Sequence, residues 1–174
     1  MANNTTNKTK DTEKPESKEV FKPVVKEVDL NQLITVRNGF QGRLIYKSSR
    51  TNEKFVWDAF GDEQELELRE LRSAKSSAKK FFINNWFAFD DEYSWVIDYL
   101  GVRNYYKNSL TIDDFDKLFT KSPAEIEKIV SKLSDGQKKS VAYKARMMIA
   151  DGEIDSNKVI SALEKALNVE LIER

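Results

Sequence analysis

Three groups of carboxylates stand out in the chain: Asp58–Glu65 (DAFGDEQE), Asp90-Asp91-Glu92, and Asp113, Asp114 and Asp116. Facing carboxylates can divide acid and base roles in hydrolysis, and oxygen-rich clusters suit Ca²⁺ or Mg²⁺. The spacing argues against both uses. DAFGDEQE lacks the alternating ligands and the closing Glu of an EF-hand loop, and Thr111-Ile-Asp-Asp reads as a helix N-cap followed by acids that complement the helix dipole. A basic group, Arg69, Arg72, Lys75 and Lys79 with Lys80, falls on one side of a helical repeat and would lie along a phosphate backbone, with nearby Tyr and Trp rings adding base stacking. Glu63, Glu65, Glu67 and Glu70 cancel much of that field, so a solvated helix face is the expectation. The chain has no His and no Cys, which removes the usual general base near neutral pH, the commonest metal ligand and every thiolate. No catalytic residues, metal site or cofactor are expected, and the chain does not read as an enzyme.

Composition narrows the class further. The 174 residues carry 29 Lys plus Arg against 29 Asp plus Glu, for a formal net charge of zero. A dedicated nucleic-acid-binding domain is usually strongly basic. Apolar residues make up 40% and charged residues 33%, enough for a core under a very polar surface. No apolar run is long enough to span a bilayer, and MANNTTNKTKDTEKPESKE lacks the apolar centre of a signal peptide. A soluble protein that stays in the cytoplasm where it is made is expected, without a membrane partner.

The elements that must position these residues divide into three stretches. Residues 1–28 predict a disordered or extended arm, with no apolar residue between Ala2 and Val20. Lys10, Lys14, Lys18, Lys22 and Lys26 would form a stripe on a helix that Pro15 and Pro23 oppose. Within this arm, FKPVV, and Phe21 in particular, is a candidate sticky end for a partner. Residues 29–107 predict a β-rich domain. LITVRN, GRLIYKSS, KFVWDAF and EQELEL are short runs rich in β-branched and aromatic residues, separated by Asn38-Gly39, Ser49–Asn52 and Gly61-Asp62. Four such strands would form a small antiparallel meander or an SH3-like partial barrel. From Leu66 the period changes to helical, through Leu71, Ala74, Ala78 and Phe81.

Residues 108–174 predict a helical domain. Ser122-Pro123-Ala124-Glu125 holds an N-cap, a first-position proline and a capping-box Glu. Ser134-Asp-Gly-Gln137 reads as a second capping box, Asp151-Gly152 as a helix end and Ser156 as a third cap. Val141, Ala145, Met148 and Ile149 are assigned inward. The expected fold is therefore α+β: an arm, a small β unit and a C-terminal three-helix unit.

Ten of the nineteen aromatic residues fall between Phe81 and Tyr106. The expectation is that most of them weld the β unit to the helices. Trp86, Tyr105 and Tyr106, next to Asn84-Asn85 and Arg103-Asn104, are the candidates for a partner-facing edge, since aromatics concentrate at interface centres. The helix pair of 135–150 and 157–167 fits helix-turn-helix length, but Asn157, Lys158 and Ser161 supply few base-reading groups. Plain structure is the expectation there. A small DNA- or RNA-binding regulator, using the Arg69–Lys80 stripe or this pair, is the alternative reading.

The pattern LITVRNGFQGRLIYKSS, KFVWDAFGDEQELELRELRSA and FFINNWFAFDD resembles small virion-associated proteins from the structural-gene regions of tailed bacteriophages of low-GC Gram-positive bacteria. The positions that carry the resemblance are Asn38, Tyr46, Trp57, Glu70-Leu71 and Asn85-Trp86. It implies a virion or assembly component whose partners are other subunits of the same particle, as an oligomer or hetero-complex. An arm, an aromatic-rich body and neutral charge point to protein-protein contacts as well.

Overall fold

The computed structural model of the chain describes residues 27–172. The expected arm, with Phe21, lies outside the described residues except for Glu27 and Val28. The fold is α+β. Five strands, β1 (Leu33–Asn38), β2 (Leu44–Lys47), β3 (Lys54–Trp57), β4 (Glu63–Glu67) and β5 (Phe87–Ala88), form two small antiparallel sheets. One sheet is ordered β4-β1-β5, with Ile34 opposite Leu66, Thr35 opposite Glu65 and Asn38 opposite Phe87. The other is the β2-β3 hairpin, with Leu44 opposite Trp57 and Tyr46 opposite Phe55.

The strands are thus not a four-strand meander: β1 does not pair with β2. Asn38-Gly39 has the composition of a tight hairpin turn, but its hydrogen bonds go elsewhere. Asn38 is fully buried; its Nδ2 donates to the Gly42 and Ala59 carbonyls (2.8 Å each), and its Oδ1 accepts from Phe40 N. Gly39 N donates to Trp86 O. The hairpin is therefore inserted between β1 and β4. It is tied back where Trp57 Nε1 donates to Val36 O (2.9 Å) and Gln64 Nε2 to Val56 O (2.8 Å).

Eight helices complete the fold among the described residues: α1 (Leu68–Ser77), α2 (Lys80–Ile83), α3 (Ser94–Tyr99), α4 (Arg103–Tyr106), α5 (Ile112–Lys117), α6 (Pro123–Val130), α7 (Asp135–Ala150) and α8 (Asn157–Leu167). None is long and apolar enough to cross a membrane. Beyond the β-rich reading, residues 68–106 are mostly helical, with Phe87–Ala88 their only strand. At α6 the capping box forms as its sequence dictates: Glu125 N donates to Ser122 Oγ (3.4 Å) and Ser122 N to Glu125 Oε2 (3.1 Å). Ser122 also holds the Glu125 carboxyl below the ordinary carboxylate range. Ser156 stands at the N-cap of α8 without a side-chain capping bond.

Buried apolar residues form two clusters. The first holds Ile34, Val36, Tyr46, Trp57, Leu66, Leu71 and much of the aromatic block. Phe87 is its hub, with ring centroids 4.9 Å from Phe81, 5.4 Å from Phe82, 5.5 Å from Tyr46 and 5.7 Å from Trp57. The block thus fills the first core instead of welding it to the helices. Two thin sheets supply few large aliphatics, so the rings provide the volume; each buried ring contributes roughly 4 kcal/mol of gross hydrophobic stabilisation. The second cluster gathers Phe115, Leu118, Phe119, Ile126, Val130, Val141, Ile160 and Leu163 from α5 to α8.

Candidate interaction surfaces

The two cores meet at a polar, backbone-level seam. Gly136, in the first turn of α7, sits so close to α2 that a Cβ there would fall 2.3 Å from Asn84 O. A Cβ on Gly39 would fall 2.2 Å from Asn85 O, and Ser140 Oγ donates to Gly39 O (3.2 Å) from 101 residues away. Ser134 caps α7 as expected, but Gln137 does not complete a capping box. Its buried amide instead accepts from Leu110 N (3.0 Å) and donates to Leu110 O (2.8 Å), fixing the chain between the cores.

Charge crosses the same seam. Arg37 Nη1 reaches Asp90 (3.2 Å) and Asp113 (3.5 Å), while its Nε donates to Gly61 O (3.3 Å) and lies 3.6 Å from Glu63. Beside it opens a cleft of about 160 Å³, lined in part by Asn85, Asp90, Asp91, Ser94 and Gln137. Asn85 is 2% exposed with a left-handed backbone (φ +54°). Its Nδ2 donates to Tyr105 O, and its Oδ1 has no hydrogen-bond partner among the described residues.

Most of the carboxylates in the three groups have structural partners. Asp62 Oδ2 accepts from Asp58 N and Ala59 N in a turn. Asp90 and Asp113 hold Arg37, and Asp116 pairs with Lys144 at 3.5 Å. Asp114 closes the Thr111 cap and is kept below the ordinary carboxylate range by Lys117 and Thr111. Among the described residues no acidic cluster is arranged to hold a metal ion.

The sequence-predicted partner edge is largely internal. Tyr106 donates its hydroxyl to Phe87 O (2.7 Å), and burial pushes that hydroxyl's pKa well up. Trp86 is half-buried between Phe40 and Phe81 (5.9 and 5.6 Å between centroids). Tyr105 is half-buried under Lys79 Nζ, 5.9 Å from its ring centroid, and Lys80 lies over Phe81 and Trp86. Nor does the basic stripe act as one unit. Arg69 pairs with Glu67 (3.1 Å) and donates to Asn31, whereas Arg72, Lys75, Lys79 and Lys80 have no carboxylate within 4 Å among the described residues. In the helix pair, Asn157, Lys158 and Ser161 are exposed on α8.

The surface that stands open lies on α7. Tyr143 (54% exposed) and Met147 (49%) are one turn apart, and helical spacing aligns them with Lys139, Arg146 and Ala150, all exposed. Arg146 Nη2 donates to Glu170 O (3.0 Å), bringing the segment that carries the exposed Val169 and Ile172 beside this face. Val141 and Ala145, on the other side, are buried as read from the sequence, while Met148 and Ile149 are half-buried. Tyr143 and Met147 were missed because one inward face already accounted for the helix. Their i, i+4 spacing with Lys139 and Arg146 was the available signal.

A second open surface is a groove of about 480 Å³ between the two sheets, lined by Leu33, Phe55, Glu53, Glu65, Glu67 and Arg50, with others. Its inner wall is a buried latch in which Tyr46 OH donates to Glu70 Oε1 (2.6 Å) and Arg50 Nε to Glu70 Oε2 (3.2 Å). Burial and the Glu70 carboxylate push the Tyr46 hydroxyl's pKa up.

No protein-family model, curated protein or solved structure matches the chain.

Proposed function

We propose that this chain is a non-enzymatic structural or assembly subunit that works through protein-protein contacts. The observation that carries the reading is the outer face of α7, where Tyr143 and Met147 stand more exposed than any other aromatic or methionine among the largest exposed apolar side chains. An aromatic and a flexible thioether, rimmed by Lys139 and Arg146, make a surface that gains by being covered. The backbone-level seam supports the same reading, since a rigid body can present that face in a fixed orientation. The resemblance carried by Asn38, Tyr46, Trp57, Glu70-Leu71 and Asn85-Trp86 implies the kind of assembly, a phage virion. It would place the chain in the host cytoplasm when made and in the particle afterwards.

Photo-crosslinking tests the reading. A crosslinker at position 143 is expected to capture protein in the producing cell, and one at exposed Lys117 is not. No adduct from position 143, or the same adducts from both positions, overturns it.

A second reading, contact with a phosphate backbone, is favoured by Arg72, Lys75, Lys79 and Lys80, which have no carboxylate within 4 Å among the described residues. Salt-titrated nucleic-acid binding decides it: an affinity that falls steeply with salt supports it, and no affinity removes it.

A further inference from the structure

We propose that the chain associates head to tail with a second copy of itself, the Tyr143–Met147 face of α7 on one copy seating on the Leu33–Phe55 groove of the next. The proposal rests on α7 being a protein contact and adds the identity of the partner.

Charge selects the occupant. On the α7 face, Lys139 and Arg146 have no carboxylate within 4 Å among the described residues, and neither has the adjoining Lys138. In the groove, Glu53 and Glu65 have no cation within 4 Å among the described residues, while Glu67 is shared by Arg50 (3.7 Å) and Arg69 (3.1 Å). The acidity follows from strand geometry: Glu63, Glu65 and Glu67 alternate along β4 and so share the solvent face of the sheet. A chain with zero formal net charge thus carries a basic face on α7 of the helical core and, on the aromatic core, a groove in which Glu53, Glu65, Glu67 and Glu70 outnumber Arg50 and Arg69. Copies do not repel overall, and opposite faces attract when juxtaposed.

Apolar groups match in the same way. Leu33 is 52% exposed on β1 and Phe55 is half-buried on β3. The groove of about 480 Å³ has room for the Met147 chain or the Tyr143 ring, and Met adapts to irregular walls. Because the two faces are different parts of the molecule, the contact is heterologous. Each contact leaves an unused groove on one copy and an unused face on the other, so association runs on or closes into a ring.

Sedimentation of the full chain with two double variants tests this. One variant spoils the face (Tyr143→Glu with Met147→Glu), the other the groove (Leu33→Lys with Glu65→Lys). The wild-type mass is expected to rise with concentration, and the association to weaken at least about tenfold as salt is raised from about 0.05 to 0.5 M. Each variant alone is expected to bind itself at least tenfold more weakly. An equimolar mixture is expected to form a species of two chains and none larger, since only one intact face and one intact groove remain to meet. If circular dichroism shows either variant unfolded, Lys139→Glu and Glu65→Lys provide the same mixture by charge alone. A wild-type chain that stays monomeric up to about 1 mM, a dimer that neither variant weakens, or a mixture that does not associate overturns the proposal. A monomeric wild type that still crosslinks from position 143 to another protein removes self-association alone. Loss of both removes the α7 contact as well.

Discussion

Gly136 touches Asn84 at backbone distance: a Cβ on Gly136 would lie 2.3 Å from the Asn84 carbonyl oxygen and 2.4 Å from its Cβ. That approach sets how the helical core sits on the aromatic one, and it converts an ordinary helix position into a glycine-only one.

Gly136→Ala reverses the usual sign of a helix substitution. Replacing Gly by Ala within a helix commonly stabilises by up to about 1 kcal/mol. Here the methyl group has nowhere to go, and the variant is expected to lose about 2 kcal/mol or more in urea unfolding. Gly152→Ala is the control: its φ is +77° with no atom within 4 Å of an added Cβ, so only backbone strain of about 1 kcal/mol applies. A Gly136→Ala protein as stable as wild type would show that the seam is loose.

Gln137 is the second fixed point. Gln137→Ala leaves both Leu110 N–H and Leu110 O without their partner, at a cost of about 2 kcal/mol, and amide exchange at Leu110 should accelerate. Gln137→Glu keeps an acceptor for Leu110 N–H but loses the donor to Leu110 O. Its Leu110 amide should therefore stay better protected than in the alanine variant. Equal Leu110 exchange in wild type and Gln137→Ala would contradict the assignment.

Alkaline pH probes the latch at Glu70. Burial, then hydrogen bonding to Glu70, raises the Tyr46 hydroxyl above its ordinary value of 10.0. A raised value means that the folded state holds this proton more tightly than the unfolded chain does. The associated stability is complete below about pH 10 and is lost as pH climbs through the folded value. Tyr46→Phe should flatten that alkaline decline and remove one late-ionising phenol from the ultraviolet titration. Tyr106→Phe should remove another, because burial raises Tyr106 too. Full ionisation of the folded protein's tyrosines near pH 10 would contradict both.

What could be read from the chain depended on how far apart the cooperating residues lie. Ser122, Pro123 and Glu125 are neighbours, so their cap was legible, as was the inward stripe of Val141 and Ala145. Asn38-Gly39 was not, because its partners Ala59 and Trp86 lie far along the chain and draw the turn away from a hairpin. Gln137 has the spacing of a capping-box residue, yet Leu110, 27 residues earlier, takes its amide. The aromatic block was legible as a burial signal, but its destination was not, since only the folded topology shows Phe87 between Tyr46 and Trp57. Tyr143 and Met147 share an outer face by spacing alone. That no other described residue covers it needed the packing of α5, α6 and α8.

The central claim is that the outer face of α7 is a protein contact, and the native size of the protein in unfractionated extract of the producing cell tests it most directly. The wild-type chain is expected in a species larger than the monomer. Tyr143→Glu with Met147→Glu should shift it to monomer size while leaving the thermal midpoint unchanged. A double variant that keeps the wild-type native size, or a wild type already monomeric in that extract, would contradict the claim.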